Sequence, residues 1–159
     1  MGEPRTQDPE PTGKEPYSFR NLILWQKAQE LALAVIRVVA GLPRDNAAQI
    51  IGRQLVASAA SIGANVAEGH GRFSLAAHRN HLSIAKGSAC ETDGWLYLLC
   101  RAGYLEAEVE DRLHQDCQEI IRMLTAKIRD LERRESGRGS ATVREAPSSY
   151  KATDYLVDE

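Results

Sequence analysis

The feature that most constrains this 159-residue chain is a run of fourteen residues, from Gln54 to Ala67, that contains no charge. Apolar residues recur through this region at helical spacing and predict one core-facing stripe, made of Ile51, Leu55, Ile62 and Val66. The opposite side carries only small or apolar side chains, which are Val56, Ala57, Ala60, Ala64 and Ala67. A helix that is uncharged on every side is usually buried on every side. The run therefore predicts a helix with a second buried surface beyond the one that packs on its own core.

Three more segments show the same helical period. A first helix has its core stripe at Leu24, Ala28, Leu31, Val35 and Val38, and a fourth at Val109, Leu113, Cys117, Ile120, Leu124, Ile128 and Leu131. Gly41 and Pro43 end the first helix, Asp45 or Asn46 caps a second that runs to Gly69, and Ser74 caps a third that reaches Gly103. The fourth starts near Glu106. Short connections favour antiparallel neighbours, so the predicted fold is all-α, an antiparallel up-down four-helix bundle.

The bundle is predicted to span residues 17–135, between two segments of different composition. Residues 1–16 hold four prolines and are predicted to be a disordered arm. Residues 136–159 show no sustained period and are predicted to be a flexible tail, in which Tyr150, Tyr155 and Leu156 are suited to docking on a partner.

The third helix, like the charge-free run, carries small residues on the side that faces away from the core. Opposite its core face runs a stripe of small and polar residues, which are Ala76, Asn80, Ser83, Gly87, Cys90, Glu91 and Gly94. Gly52, Gly63, Gly87 and Gly94 each cost about 1 kcal/mol inside a helix relative to alanine, a cost that close helix approach offsets. Three interpretations are open: packing within one bundle, simple tolerance of glycine at these positions, or a contact between copies. We favour the contact between copies, made from the second and third helices, and predict that the chain self-associates.

A polar cluster is predicted on one flank of the second helix. Ser61, Asn65 and Glu68 are spaced at helical intervals, and Ser88 and Glu91 of the third helix are placed to meet them. Two interpretations are open: a binding or acid/base cluster, or a hydrogen-bonded network that fixes the register between helices or copies.

The loop between the second and third helices is the best candidate for a nucleic-acid contact. His70 and Arg72 lie in it, next to a helix N-terminus that favours anions, and Arg79 and Lys86 follow on the third helix. Lys27 of the first helix is a fifth candidate. The alternative is an ordinary loop with solvated charges. Residues 17–135 hold fifteen Lys and Arg against fourteen Asp and Glu, which predicts at most a weak basic surface.

Composition narrows the remaining function classes. The net charge of −2 excludes a strongly basic nucleic-acid-binding domain, and the longest apolar run, Leu31 to Leu42, is interrupted by Arg37 and too short to span a membrane. Three cysteines without metal spacing predict reduced thiols in the cytoplasm. No phosphate-binding, dinucleotide or hydrolase motif is present, so no cofactor, metal or catalytic residue is predicted.

Several motifs in order along the chain carry a family resemblance. They are Phe19-Arg20-Asn21-Leu22, Leu24-Trp25-Gln26-Lys27-Ala28, Gln54-Leu55, the segment from Ser61 to Gly69, Ile84-Ala85-Lys86-Gly87-Ser88, Glu91 and Gly103-Tyr104-Leu105. Together they resemble the four-helix-bundle proteins encoded in 23S ribosomal RNA intervening sequences, which are related to the accessory variability proteins of retroelements.

The resemblance implies a bacterial cytoplasmic bundle that assembles into a ring-like homo-oligomer, typically a pentamer, with a poorly defined activity. For the related accessory proteins of retroelements, the resemblance implies binding both to nucleic acid and to a reverse transcriptase. The chain departs from the pattern after Gln54-Leu55, where Val56, Ala57 and Ser58 stand in place of a frequent arginine. The predicted function is a non-enzymatic, homo-oligomeric scaffold or adaptor, with RNA or a ribonucleoprotein as a candidate partner. The alternative is a protein–protein adaptor that binds no nucleic acid.

Overall fold

The computed structural model describes residues 18–141, with side chains through residue 137. A short 3-10 turn, Phe19–Asn21, leads into four α-helices: α1 (Ile23–Ala40), α2 (Asn46–His70), α3 (Leu75–Arg101) and α4 (Ala107–Ala141). The described residues contain no strand, and none of their helices is long and apolar enough to cross a membrane. The predicted arm 1–16, and the predicted tail from residue 142 on, lie outside this range.

The helices begin and end at local signals in the sequence. The Asp45 carboxylate accepts a hydrogen bond from the Ala48 amide at 2.9 Å, and the Ser74 hydroxyl accepts one from the Ala77 amide at 3.1 Å. Both side chains thereby satisfy a free amide of the first turn, which confirms the predicted caps of α2 and α3. Gly103 adopts a φ of 78°, a left-handed conformation that favours glycine, in the turn after α3.

The last helix is longer than the sequence predicts. Helix α4 continues through Ser136, where the tail was predicted to begin, and ends at Ala141. The apolar period fades after Leu131, and α4 continues without a core-facing stripe although Gly137 and Gly139 disfavour a helix; no proline interrupts residues 132–141.

One apolar core joins all four helices, and their packing fits a four-helix bundle. The predicted stripes supply most of it, and the largest fully buried side chains are Leu31, Val35, Leu55, Ile62, Val66, Leu82, Leu96, Leu99, Leu113, Ile120, Leu124 and Leu131. Because each of these side chains is fully removed from water, each contributes about 1.5–3 kcal/mol of apolar burial.

Gly52 and Gly63, two of the glycines inside α2, bring α1 and α2 close together. A methyl group at Gly52 would lie 3.1 Å from Leu42 Cδ1 and 3.2 Å from Val39 Cγ1, and one at Gly63 would overlap the side-chain amide of Gln29. Packing within the chain therefore explains these two positions.

Helix α1 covers only one half of α4. Lys27, near the start of α1, forms an ion pair with Glu119 at 2.8 Å, and Ile23, the first residue of α1, shares a cavity wall with Met123. Beyond Met123, no hydrogen bond or ion pair joins α4 to α1 among the described residues, whereas α3 still contacts α4 through the ion pair of Arg79 with Glu135. This difference in helix length leaves the bundle open at the end where α1 begins.

Candidate assembly surface and basic residues

The predicted polar cluster forms a seam of hydroxyl groups between α2 and α3. The hydroxyl oxygens of Ser61 and Ser88 are 2.9 Å apart, and the buried Thr92 hydroxyl donates to that of Ser58 at 3.0 Å. The Asn65 amide donates to the Ser61 carbonyl at 2.9 Å and to its hydroxyl at 3.1 Å. The seam fixes the register of the two helices, because a shift of one residue would separate every pair.

A histidine extends the seam towards the α2–α3 loop. His81 Nδ1 is 3.3 Å from Asn65 Oδ1, and its Nε2 is 3.7 Å from Glu68 Oε1. Glu68 also forms an ion pair with Arg72, one turn further along. The three predicted α2 residues thus belong to one continuous set of polar contacts.

Glu91 does not join this set. Its carboxylate accepts a hydrogen bond from the Trp95 indole at 3.1 Å on the exposed side of α3. Conversely, the sequence prediction omitted Ser58, Thr92 and His81, because the sequence of one helix does not show which residue of another helix a single hydroxyl or imidazole group will contact. Among the described residues, every buried side-chain nitrogen and oxygen has a hydrogen-bond partner. Of the two interpretations of the cluster, this saturation favours the structural network.

The outer face of α2 is a strip of exposed small residues. Ala57, Ala60 and Ala64 lie along it and are exposed in the single chain. On α3, Gly87 and Gly94 are also exposed, and a methyl group added at either would meet nothing within 4 Å. These two glycines therefore differ from Gly52 and Gly63, since no packing inside the chain explains them.

Larger apolar side chains flank the small strip on both sides. On α1, Leu33 is 45% exposed and Ile36 51%; on α3, Ile84 is 46% exposed and Leu98 42%. The Gly63–Gln29 contact sets Leu33 level with the middle of the strip, and the Ser61–Ser88 pair sets Ile84 level with its end. We call the surface made of these small and flanking residues the α1–α3 apolar face. Exposed apolar patches of this kind mark interaction sites in soluble proteins.

The predicted basic residues are spread over the bundle. Lys27 pairs with Glu119 where α1 meets α4, and Arg79 pairs with Glu135 at 2.7 Å where α3 meets α4. The two acidic partners are sixteen residues apart on α4, about 24 Å along the helix axis. The structure therefore does not gather these two cations into one patch.

The other three predicted basic residues lie on α2, on α3 and between them. Arg72 is bound to Glu68, His70 ends α2, and Lys86 is half-buried on α3. Lys86 forms no ion pair with any residue that the structure describes. Because three of the five candidates are neutralised by a carboxylate, the local positive potential is lower than the sequence alone suggests.

A second cluster of ionisable side chains joins α3 and α4. His114 Nδ1 is 2.7 Å from Asp93 Oδ1, and the Gln118 amide donates to the other Asp93 oxygen at 3.1 Å. The hydrogen bond to Asp93 raises the pKa of His114 above its usual value. No group of three or more metal-ligating side chains occurs within residues 18–137. Burial raises the pKa of the Cys117 thiol to about 12, so that it stays protonated.

Comparison with known proteins places the chain in a family. A solved structure from Bacteroides thetaiotaomicron VPI-5482, described as a protein with unknown function from the S23 ribosomal protein family, is similar at 31% identity with a TM-score of 0.63. The alignment covers 67% of this chain and 98% of that one. No curated protein gives a significant match. The family described as 23S rRNA-intervening sequence protein matches residues 20–126, from the 3-10 turn to the middle of α4. The chain belongs to the 23S rRNA-intervening sequence protein family.

Proposed function

We propose that this chain is a non-enzymatic, homo-oligomeric scaffold of the cytoplasm, built from up-down bundles that meet through the α1–α3 apolar face. The observation that carries the proposal is the exposure of Ala57, Ala60 and Ala64 at the centre of a helix with no charge over fourteen residues. A monomer gains nothing from such a surface, since lysine and glutamate there would improve its solubility.

The order of contacts supports the up-down arrangement. Ser58, Ser61 and Asn65 of α2 contact Thr92, Ser88 and His81 of α3, so that rising numbers on one helix meet falling numbers on the other. The ring-like assembly, and a pentamer in particular, is an expectation from the family resemblance.

The shape of the α1–α3 apolar face suits a second helix. Small side chains along its centre let a helix backbone approach closely, while Leu33 and Ile84 on either side add apolar area at the edges of the contact. Stable contacts between copies bury about 800 Å² on each partner. The outward surfaces of two helices of this length offer an area of that order.

The ion pairs favour a protein partner over RNA. Lys27, Arg72 and Arg79 are each bound to a glutamate, and affinity for nucleic acid depends on the number of phosphates that free cations neutralise. We therefore propose a protein, and not a nucleic acid, as the partner of this scaffold.

Light scattering of the full chain tests the assembly directly. The expected result at micromolar concentration is a mass several times the 17.5 kDa of one copy. A mass of one copy at every accessible concentration would contradict the proposal.

The choice of partner is tested by affinity purification from cells, with protein and nucleic acid both identified. We expect a specific protein to remain after a high-salt wash that removes electrostatically held nucleic acid. RNA that remains bound after that wash, without an accompanying protein, would replace the adaptor reading with the nucleic-acid one.

A further inference from the structure

A cavity of about 620 Å³ lies at the open end of the bundle, where α1 begins and α4 continues past it. All four helices contribute apolar wall, with Leu24 from α1, Val66 from α2, Leu82 from α3 and Met123 from α4. This volume is within the range of sites that bind small molecules or short peptide segments.

The α4 segment that borders the cavity carries an excess of positive charge. Lys127 of α4 lines the cavity, and the nearby His78 has a pKa lowered by partial burial and by the charge of Lys127, so His78 is neutral at neutral pH. Asp130 also lies at the rim, where three cations share its carboxylate: Arg134 at 3.0 Å, Arg133 at 3.8 Å and Lys127 at 4.0 Å. From residue 127 to 134, α4 carries four cations against two acids. An occupant should therefore combine apolar side chains with negative charge.

We propose that this cavity binds the segment Tyr155–Val157 of the chain itself. In the stretches before residue 18 and after residue 141, Tyr155-Leu156-Val157 is the only run of three large apolar residues. Acidic residues bracket it, with Asp154 before and Asp158 and Glu159 after, and no cation interrupts them. The segment thus has an apolar centre for the walls and negative ends for Lys127 and the arginines beyond it.

The connecting chain is long enough to reach. From Asp130 to Ala141 the helix extends about 16 Å beyond the cavity. The thirteen residues from 142 to 154 span at most about 43 Å when extended, so the segment can return to the cavity with slack.

The other flanking segment fits the cavity less well. Residues 1–16 contain a single large apolar residue, Met1, and four prolines, so they offer no comparable run to fill an apolar cavity. The proposal does not depend on self-association.

Methyl NMR gives a direct readout, because the chain has only two methionines, Met1 and Met123. In protein labelled at the methionine methyl groups, we expect the Met123 signal to shift on Leu156→Asp, while the matched variant Val143→Asp leaves it in place. Adding a peptide of residues 150–159 to the Leu156→Asp protein should return the Met123 signal to its original position.

The contribution of charge is tested by substitution at Lys127, on the cavity side of the contact. Lys127→Glu should weaken binding of the same peptide to the Leu156→Asp protein by at least about fivefold, which corresponds to about 1 kcal/mol. Arg122→Glu, an exposed position on α4 away from the cavity, should leave the peptide affinity unchanged.

Three results would overturn the proposal. The first is a Met123 signal that neither Leu156→Asp nor the peptide moves. The second is a signal that moves on deletion of residues 1–16 but not on Leu156→Asp, which would assign the cavity to the N-terminal arm. The third is a signal that ignores Leu156→Asp but shifts with decanoate, which would make the cavity a site for small amphipathic acids.

Discussion

Replacing Ala60 with glutamate tests the α1–α3 apolar face at its centre. Ala60 is exposed in the single chain, so a glutamate there should change the stability of one copy by no more than about 0.5 kcal/mol. At a contact between copies the same carboxylate would lose its water without gaining a partner. Arg53, the nearest cation on the same helix, is seven residues away, about 10 Å along the axis, which is too far for an ion pair.

The expected cost follows from that isolation. An unpaired carboxylate in an apolar contact costs a few kcal/mol, and a value of about 3 kcal/mol raises the dissociation constant of one contact roughly 150-fold. In a closed assembly every contact carries the change, so Ala60→Glu should give monomers at concentrations where the wild-type chain is fully assembled.

Sedimentation velocity measures the loss of assembly, and circular dichroism measures whether each copy keeps its helix content. The matched control is Ala47→Glu, the same substitution at an exposed position on α2 outside the charge-free run. The control should sediment as the wild type, and both variants should keep their helix content. If Ala60→Glu sediments like the wild type, or if it dissociates no more than Ala47→Glu, the assigned contact surface is wrong.

Three further predictions concern side chains inside one copy. Thr92→Val should lower the free energy of unfolding by about 1 kcal/mol in chemical denaturation, because the Ser58 hydroxyl and the Ser88 carbonyl lose their contact with Thr92 while Ser58 still donates to the Leu55 carbonyl; Ser58→Ala should then cost less in the Thr92→Val background than in the wild type. An NMR titration should give His114 a pKa above 6.5, and Asp93→Asn should return it towards that value. Because the folded state raises this pKa, the stabilisation is complete below pH 6.5 and disappears as the pH rises through the folded-state pKa; an unshifted titration in the wild type would disprove the contact. Cys117, with its pKa of about 12, should resist alkylation at pH 8 in the folded protein and react on unfolding, as judged by mass spectrometry.

Features that depend on one helix alone could be predicted from the sequence. The stripe of Leu55, Ile62 and Val66 and the caps at Asp45 and Ser74 follow from helical period and local hydrogen bonding, and the structure confirms them. The exposure of the alanines on α2 has the same origin, since the core stripe fixes which side of a helix faces away.

Features that depend on which helices are neighbours could not be predicted. Gly63 and Gly87 are equivalent as helical glycines, yet only Gly63 contacts another helix, because α1 packs against one flank of α2. The pairing of Arg79 with Glu135 likewise joins residues far apart in the sequence, and it removes a cation that the loop-based prediction counted as available. Charge spacing along one helix contains no information about carboxylates on another.

The unequal lengths of α1 and α4 have a consequence for dynamics. At Glu119, the ion pair with Lys27 joins α4 to α1, whereas in the second half of α4, beyond Met123, no hydrogen bond or ion pair to α1 occurs among the described residues and only the start of α1 shares a cavity wall with it. Amide hydrogens in the second half should therefore exchange with solvent through local openings of lower free energy than those in the first half. Helix α4 thus has a rigid first half and a softer second half. A molecule that covers the second half should slow its amide exchange and reduce the difference between the two halves.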